Sequence, residues 1–70
     1  MKVMVAKRGD ALTVYVAKKD LEEVIVAMEH PEMWGGWVDL ANGWRLELPA
    51  MADVPRLPVT VEARRLRGDD

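Results

Sequence analysis

A tryptophan-rich hairpin pattern at residues 34–48 constrains the fold more than any other feature of this chain. All three tryptophans lie in this window, and two strand-like segments, 37–40 and 44–48, flank the dipeptide Asn42-Gly43. Asn-Gly is a strong signal for a tight hairpin because both residues tolerate positive φ. Three indole side chains are a large share of the apolar area that 70 residues can bury. The window therefore predicts a β-hairpin at residues 37–48 that anchors the core.

The second arm of this hairpin alternates between apolar and polar residues. Trp44, Leu46 and Leu48 fall on one face of an extended strand, and Arg45 and Glu47 fall on the other. We therefore expect Trp44 to be a core residue.

The N-terminal segment predicts a first hairpin at residues 2–17. Residues 2–7 are mostly apolar, and Gly9 supplies a position that can adopt positive φ. Leu12, Val14 and Val16 then recur with a period of two, which is typical of a half-buried strand.

Residues 20–29 are ambiguous between a helix and a strand. Leu21, Val24, Ile25 and Met28 have helical spacing, and Asp20 could begin a capping box. The β-branched run 24–26 instead prefers a strand. We favour a turn at 18–22 followed by a strand at 23–29, and the helix stays open as the alternative.

The remaining sequence completes an all-β pattern. Three of the four prolines lie in 49–58, which indicates an irregular connection, and alternation from Val59 to Ala63 predicts a final strand. About five to six short antiparallel strands with regular turn signals indicate a small closed or partly open barrel-like sheet, since closure removes exposed strand edges. We expect one domain at residues 1–66 and a disordered tail at residues 67–70.

Composition argues against several classes of function. A net charge of −2 argues against nucleic-acid binding, and the longest apolar run, residues 24–28, is far too short to cross a membrane. The chain has no cysteine, so it forms no disulfides and offers no thiolates to an iron–sulfur cluster or zinc. With no signal-peptide pattern after Met1-Lys2, these features predict a cytoplasmic protein.

The residue types needed for catalysis are scarce. The chain has neither serine nor cysteine, the two commonest nucleophiles, and its single histidine, His30, precedes a proline in an expected loop. Glu29, His30 and Glu32 do not have a recognised metal-ligand spacing. We therefore expect a protein that is not an enzyme and has no catalytic, cofactor-binding or metal-binding residues.

Two regions are candidates for contact with a partner. Trp34 and Trp37 bracket Gly35-Gly36, so at least one indole is expected to be half exposed, as is common at interfaces. The charged turn at 18–20 is the other region. Together they define a candidate interaction surface of Lys18, Lys19, Asp20, Trp34 and Trp37.

Arg64 and Arg65 are adjacent in the final strand, so one arginine points to each face. We interpret one as exposed and the other as paired or at the strand end, in preference to an anion site.

Four stretches of the chain resemble the NifT/FixU family of small nitrogen-fixation proteins. They cover most of the chain in order: the opening residues 1–4, the segment 16–23, the tryptophan-rich stretch 34–38 with 40–44, and the segment 57–66. Any one stretch alone would be a weak signal, and the combination is specific.

The resemblance implies a barrel-like β fold and a gene located beside those of nitrogenase components. It also implies a non-enzymatic accessory role in the maturation of nitrogenase or its iron–molybdenum cofactor, with nitrogenase components or maturation proteins as partners. It carries over no catalytic residues or ligands. Two alternatives stay open: a module in the same pathway that binds a small molecule or a metal ligand, and a nucleic-acid-binding barrel, which the acidic charge disfavours.

Overall fold

A computed structural model describes residues 1–51, 53 and 55–68 of the chain. Within these residues it has seven strands and a short 3₁₀ turn at Ala17–Lys19. The strands are β1 (Lys2–Arg8), β2 (Ala11–Val16), β3 (Leu21–Met28), β4 (Trp37–Leu40), β5 (Arg45–Glu47), β6 (Val59–Glu62) and β7 (Arg64–Arg67). They form one antiparallel sheet in the order β6-β1-β2-β3-β4-β5-β7. The all-β, barrel-like fold expected from the sequence is confirmed.

Strand β3 turns one corner of the sheet because its two halves pair with different neighbours. Residues 21–24 pair with β2, and residues 25–28 pair with β4. The register with β4 shifts between Ile25 and Ala27, which is the irregularity of a β-bulge. A bulge bends a strand and increases its twist, so β3 can pass from one half of the sheet to the other.

The segment 59–67 turns the opposite corner. Its first part, β6, pairs with β1, and its second part, β7, pairs with β5. Only Ala63 separates them, so the two outer strands of the sheet are joined by the covalent chain. The sheet therefore curls back towards its own beginning as a partly open barrel. The expected single final strand is thus divided in two, which accounts for seven strands instead of five or six.

The interior of the barrel is filled by side chains from strands β1 to β6 and from the segments that connect them. Trp44 is 7% exposed, and Leu46 and Leu48 beside it on the same face are fully buried. This confirms Trp44 as a core residue. The remaining core members are Val3, Val5, Val14, Val16, Ile25, Met33, Trp34, Val38, Leu40, Val61 and Ala63.

Both expected hairpins are present, at residues 2–17 and 37–48, but the second has a different turn. The amide of Leu40 donates to the carbonyl of Trp44 (2.8 Å), so three residues form the loop. Within this loop, Gly43 alone has positive φ (+95°), and the side chain of Asn42 accepts a hydrogen bond from the Trp44 amide (3.1 Å). Asn42 thus acts through its side chain, and the loop has the form of a three-residue hairpin connection.

Residues 21–28 form a strand, so the helical alternative is wrong. The strand begins at Leu21, two residues earlier than expected, because the 3₁₀ turn is short. Leu21, Ile25 and Met28 pack against the core, whereas Val24 and Val26 are exposed. The bulge changes the inward spacing from four residues to three, and this produces the spacing that resembles a helix.

Two residues of the expected disordered tail at 67–70 instead lie against the sheet. Arg67 pairs with Arg45 in the sheet, and Gly68 lies against Trp44, where an added Cβ would be 2.7 Å from the indole Cγ. Residues 69 and 70 lie outside the described residues.

Replacement of Gly43 by valine tests the hairpin turn. A β-branched residue is strained at φ +95°, although open space surrounds the position, so we expect a loss of about 1–3 kcal/mol in the free energy of unfolding. Urea denaturation measures this loss. Ala41→Val, in the same turn without positive φ, is the control and should change stability much less. Equal stabilities for the two variants would contradict the assigned turn.

Candidate interaction surface

The charged turn between β2 and β3 is held by local hydrogen bonds. Asp20 adopts φ +49° and donates its amide to the carbonyl of Ala17 (3.2 Å), which ends the 3₁₀ turn. Its carboxylate accepts a hydrogen bond from the Tyr15 hydroxyl (2.8 Å), and this bond raises the pKa of the Tyr15 phenol. Lys18 and Lys19 extend from the turn into solvent.

The two tryptophans of the candidate surface have different environments. Trp34 is 9% exposed and belongs to the core, so it presents little surface to a partner. Trp37 is half-buried, and the Arg45 guanidinium lies 4.0 Å from its ring centroid. This is a cation–π contact on the outer face of the sheet. Of the two indoles, Trp37 is therefore the better candidate for contact.

The five residues of the candidate surface do not lie together. The turn at 18–20 precedes the first residue of β3, whereas the carbonyl of Trp37 accepts a hydrogen bond from Glu29, just after the last residue of β3. A strand of eight residues spans roughly 25 Å. The charged turn and Trp37 therefore belong to separate regions.

An ionic cluster surrounds Trp37 on the outer face of β4, β5 and β7. Arg45 donates two hydrogen bonds to the Asp39 carboxylate (2.6 and 2.9 Å), and Arg67 lies 3.7 Å from the same carboxylate. The hydrogen bonds from Arg45 lower the pKa of Asp39 below its usual value. This bidentate pair holds the guanidinium over the indole. Sequence reasoning missed the cluster, because Asp39 and Arg45 come together only through the register of the hairpin.

A second cluster forms where the charged turn meets the corner at Ala63. A groove of about 530 Å³ lies there, lined by Met1, Val16, Lys18, Lys19, Ala63, Arg64 and Arg65. Among the described residues, its lining has four cationic side chains and no carboxylate. We refer to these seven residues as the basic groove. The sequence showed both the lysine pair and the arginine pair, but not that they meet.

His30 lies in the loop before β4, as expected. A Cβ on Gly36 would be 2.7 Å from the His30 ring, so this glycine makes room for the imidazole. In the described part of the chain, no group of three or more histidine, aspartate and glutamate residues could hold a metal ion. The same residues contain no helix of the length and hydropathy required to span a bilayer.

The comparisons with known proteins agree on one family. The model of the NifT/FixU protein family matches residues 1–63. The FixU homolog of Sinorhizobium fredii is 51% identical over 69 residues, which cover 99% of this chain and 91% of that protein. NifT of Azotobacter vinelandii is 44% identical over 66 residues, 90% of each chain.

A longer protein also contains a similar segment. Protein MosB of Rhizobium meliloti is 53% identical over 68 residues, which are 97% of this chain but only 13% of MosB.

The fold and the two clusters define the class of this protein, which is a small all-β domain with charged clusters on its outer surface. The chain belongs to the NifT/FixU family, whose members are associated with nitrogen fixation. The resemblance stated from the four sequence stretches is thereby confirmed.

Replacement of Trp34 and of Trp37 by alanine should separate their roles. Trp34→Ala leaves a cavity in the core and should cost about 3–5 kcal/mol in the free energy of unfolding. Trp37→Ala removes a half-buried ring and its cation–π contact, so it should cost about 1 kcal/mol. Urea denaturation compares the two variants, and equal losses would be inconsistent with these environments.

Replacement of Asp39 by asparagine should change how stability depends on pH. The lowered folded-state pKa lies below the value in the unfolded chain, about 3.9, so this stabilisation is complete above that value. It is lost as pH falls through the lowered pKa. Asp39→Asn should therefore be less stable than the parent near neutral pH, and the gap should shrink in acid.

Urea denaturation across the pH range gives the measurement for Asp39→Asn. Asp10→Asn, at the exposed first turn, is a control for the loss of one negative charge. A gap between Asp39→Asn and the parent that stays constant from neutral to strongly acidic pH would contradict the ion pair.

Proposed function

We propose that this chain is a non-enzymatic accessory protein of nitrogen fixation that acts by contact with other proteins. The partners proposed are nitrogenase components or proteins that mature its iron–molybdenum cofactor. Membership of the NifT/FixU family supports the process. The absence of cysteine and serine from the sequence supports a role without a cysteine or serine nucleophile, and the lack of cysteine is compatible with the cytoplasm, where we place the protein.

The observation that carries the proposal is the filled interior of the barrel. Val5, Val14, Val38 and Leu46 are completely buried, and the surrounding core residues join them in one cluster. Barrels that hold a ligand do so in an interior left open by their side chains. Here the apolar interior is used for stability, so recognition is left to the outer surface.

The outer surface carries features suited to protein contact. Trp37 and Arg45 form a cation–π pair on one part of it, and Trp and Arg are the residues most often dominant at interfaces. Lys18 and Lys19 lie on another part, together with the rest of the basic groove. Ordered aromatic and cationic side chains on a rigid sheet lose little conformational entropy on binding.

Affinity capture from nitrogen-fixing cells tests this function. The tagged chain should enrich at least one nitrogenase component or cofactor-maturation protein after mild cross-linking, because the proposal requires direct contact. Mass spectrometry identifies the captured proteins. The control is the same bait in cells grown on fixed nitrogen, together with an unrelated tagged β-barrel. If no nitrogen-fixation protein is enriched over these controls, the proposed function is wrong.

A further inference from the structure

We propose that the basic groove binds an acidic, extended segment of a partner protein. This inference rests on the proposed function, since it specifies the chemistry of one protein contact. The groove of about 530 Å³ has Lys18, Lys19, Arg64 and Arg65 around a floor that includes Val16 and Ala63, which are only 1% and 4% exposed. An apolar floor with a cationic rim suits a chain that carries carboxylates and some apolar side chains.

The topology of the barrel builds this groove from distant parts of the chain. The amine of Met1 donates to the carbonyl of Ala63 (2.8 Å), and the amide of Ala63 donates to the carbonyl of Met1 (2.7 Å). This pair holds the start of β7 beside the start of β1. Because Val3 pairs with Val16, the end of β2 and its lysine-bearing turn lie on the other side of β1. The four cations are thus positioned by backbone hydrogen bonds.

Among the described residues, the carboxylates near the groove point elsewhere or form exposed ion pairs. Glu62 lies 3.4 Å from the Met1 amine, and its side chain is 72% exposed. Asp20, next to Lys19, accepts from Tyr15 and lies with it beside a different depression of the surface. Glu47 pairs with Arg64 at 3.0 Å, but both side chains are largely exposed (44% and 72%). Exposed ion pairs contribute little to stability, so an incoming carboxylate can replace Glu47. Lys18 and Lys19 therefore give the groove a local positive charge on a protein whose net charge is −2.

An acidic peptide fits these observations better than a nucleic acid or a small anion. The net negative charge repels a long polyanion beyond the groove. The described residues that line the groove include no aromatic side chain to stack on bases. A site for a single small anion requires cationic groups that converge on one buried point, whereas Lys18 and Lys19 are exposed. An extended segment can instead place its carboxylates beside several of the cations that line the groove.

Fluorescence anisotropy with the purified chain tests the inference. The probe is a short fluorescein-labelled peptide in which glutamate and leucine alternate, and glutamine replaces glutamate in the matched control peptide. We expect the acidic peptide to bind and the glutamine peptide not to bind. Lys18→Glu/Lys19→Glu should weaken binding about tenfold or more, because it replaces two attractions by two repulsions. Lys18→Gln/Lys19→Gln should weaken it less, and added salt should weaken it for the parent chain.

The matched charge control is Lys7→Glu/Arg56→Glu. It makes the same change in net charge at exposed positions outside the groove lining, and it should leave peptide affinity within about twofold of the parent. Equal losses in both charge-reversal variants would overturn the proposal, as would an oligo-thymidylate that binds as tightly as the peptide. Full displacement of the peptide by equimolar inorganic phosphate or citrate would also overturn it. Circular dichroism verifies that each variant is folded.

Capture from nitrogen-fixing cells with the same variants separates failure of this inference from failure of the proposed function. If the parent captures a nitrogen-fixation protein and Lys18→Glu/Lys19→Glu captures it equally well, the function stands and the groove proposal is wrong. If the acidic peptide binds but the parent captures no nitrogen-fixation protein, the proposed function is wrong and the groove chemistry stands.

Discussion

The two corners of the sheet are the constraint on which the rest of this structure depends. At β3 and at Ala63, a continuous piece of chain leaves one neighbouring strand and pairs with another. A flat sheet of seven short strands would leave two full edges and one face in water. The corners instead fold the sheet over its own apolar face. A chain of only 70 residues can thereby enclose a core that contains two of its three tryptophans.

The same corners determine how charge is distributed on the outside. The Ala63 corner places the arginine pair of β7 beside the start of β1 and the lysines after β2. At another part of the surface, the pairing of β4 with β5 and of β5 with β7 brings Arg45 and Arg67 to the carboxylate of Asp39. Both clusters are consequences of strand register. The fold therefore converts a chain with nearly balanced charge into a surface with distinct local charges, which is what selective protein contact requires.

Much of the fold could be predicted because alternation along the chain reports local burial directly. Trp44, Leu46 and Leu48 were expected on one face, and all three are buried. Residues 20–29 were harder, because the bulge after Ile25 shifts the inward positions and gives a strand the apolar spacing of a helix. The resemblance to NifT/FixU proteins supplied the biological process, which composition and residue spacing alone do not indicate.

The sequence by itself determined the strand content, the two hairpins and the indole that anchors the core, since these depend on propensities and spacings between near neighbours. Tertiary structure decided which sheet edges meet, which tryptophan stays at the surface and which cations share a groove. These features depend on pairings between residues as distant as Met1 and Ala63. Local sequence carries no record of such pairings, because they are set by the register and curvature of the whole sheet.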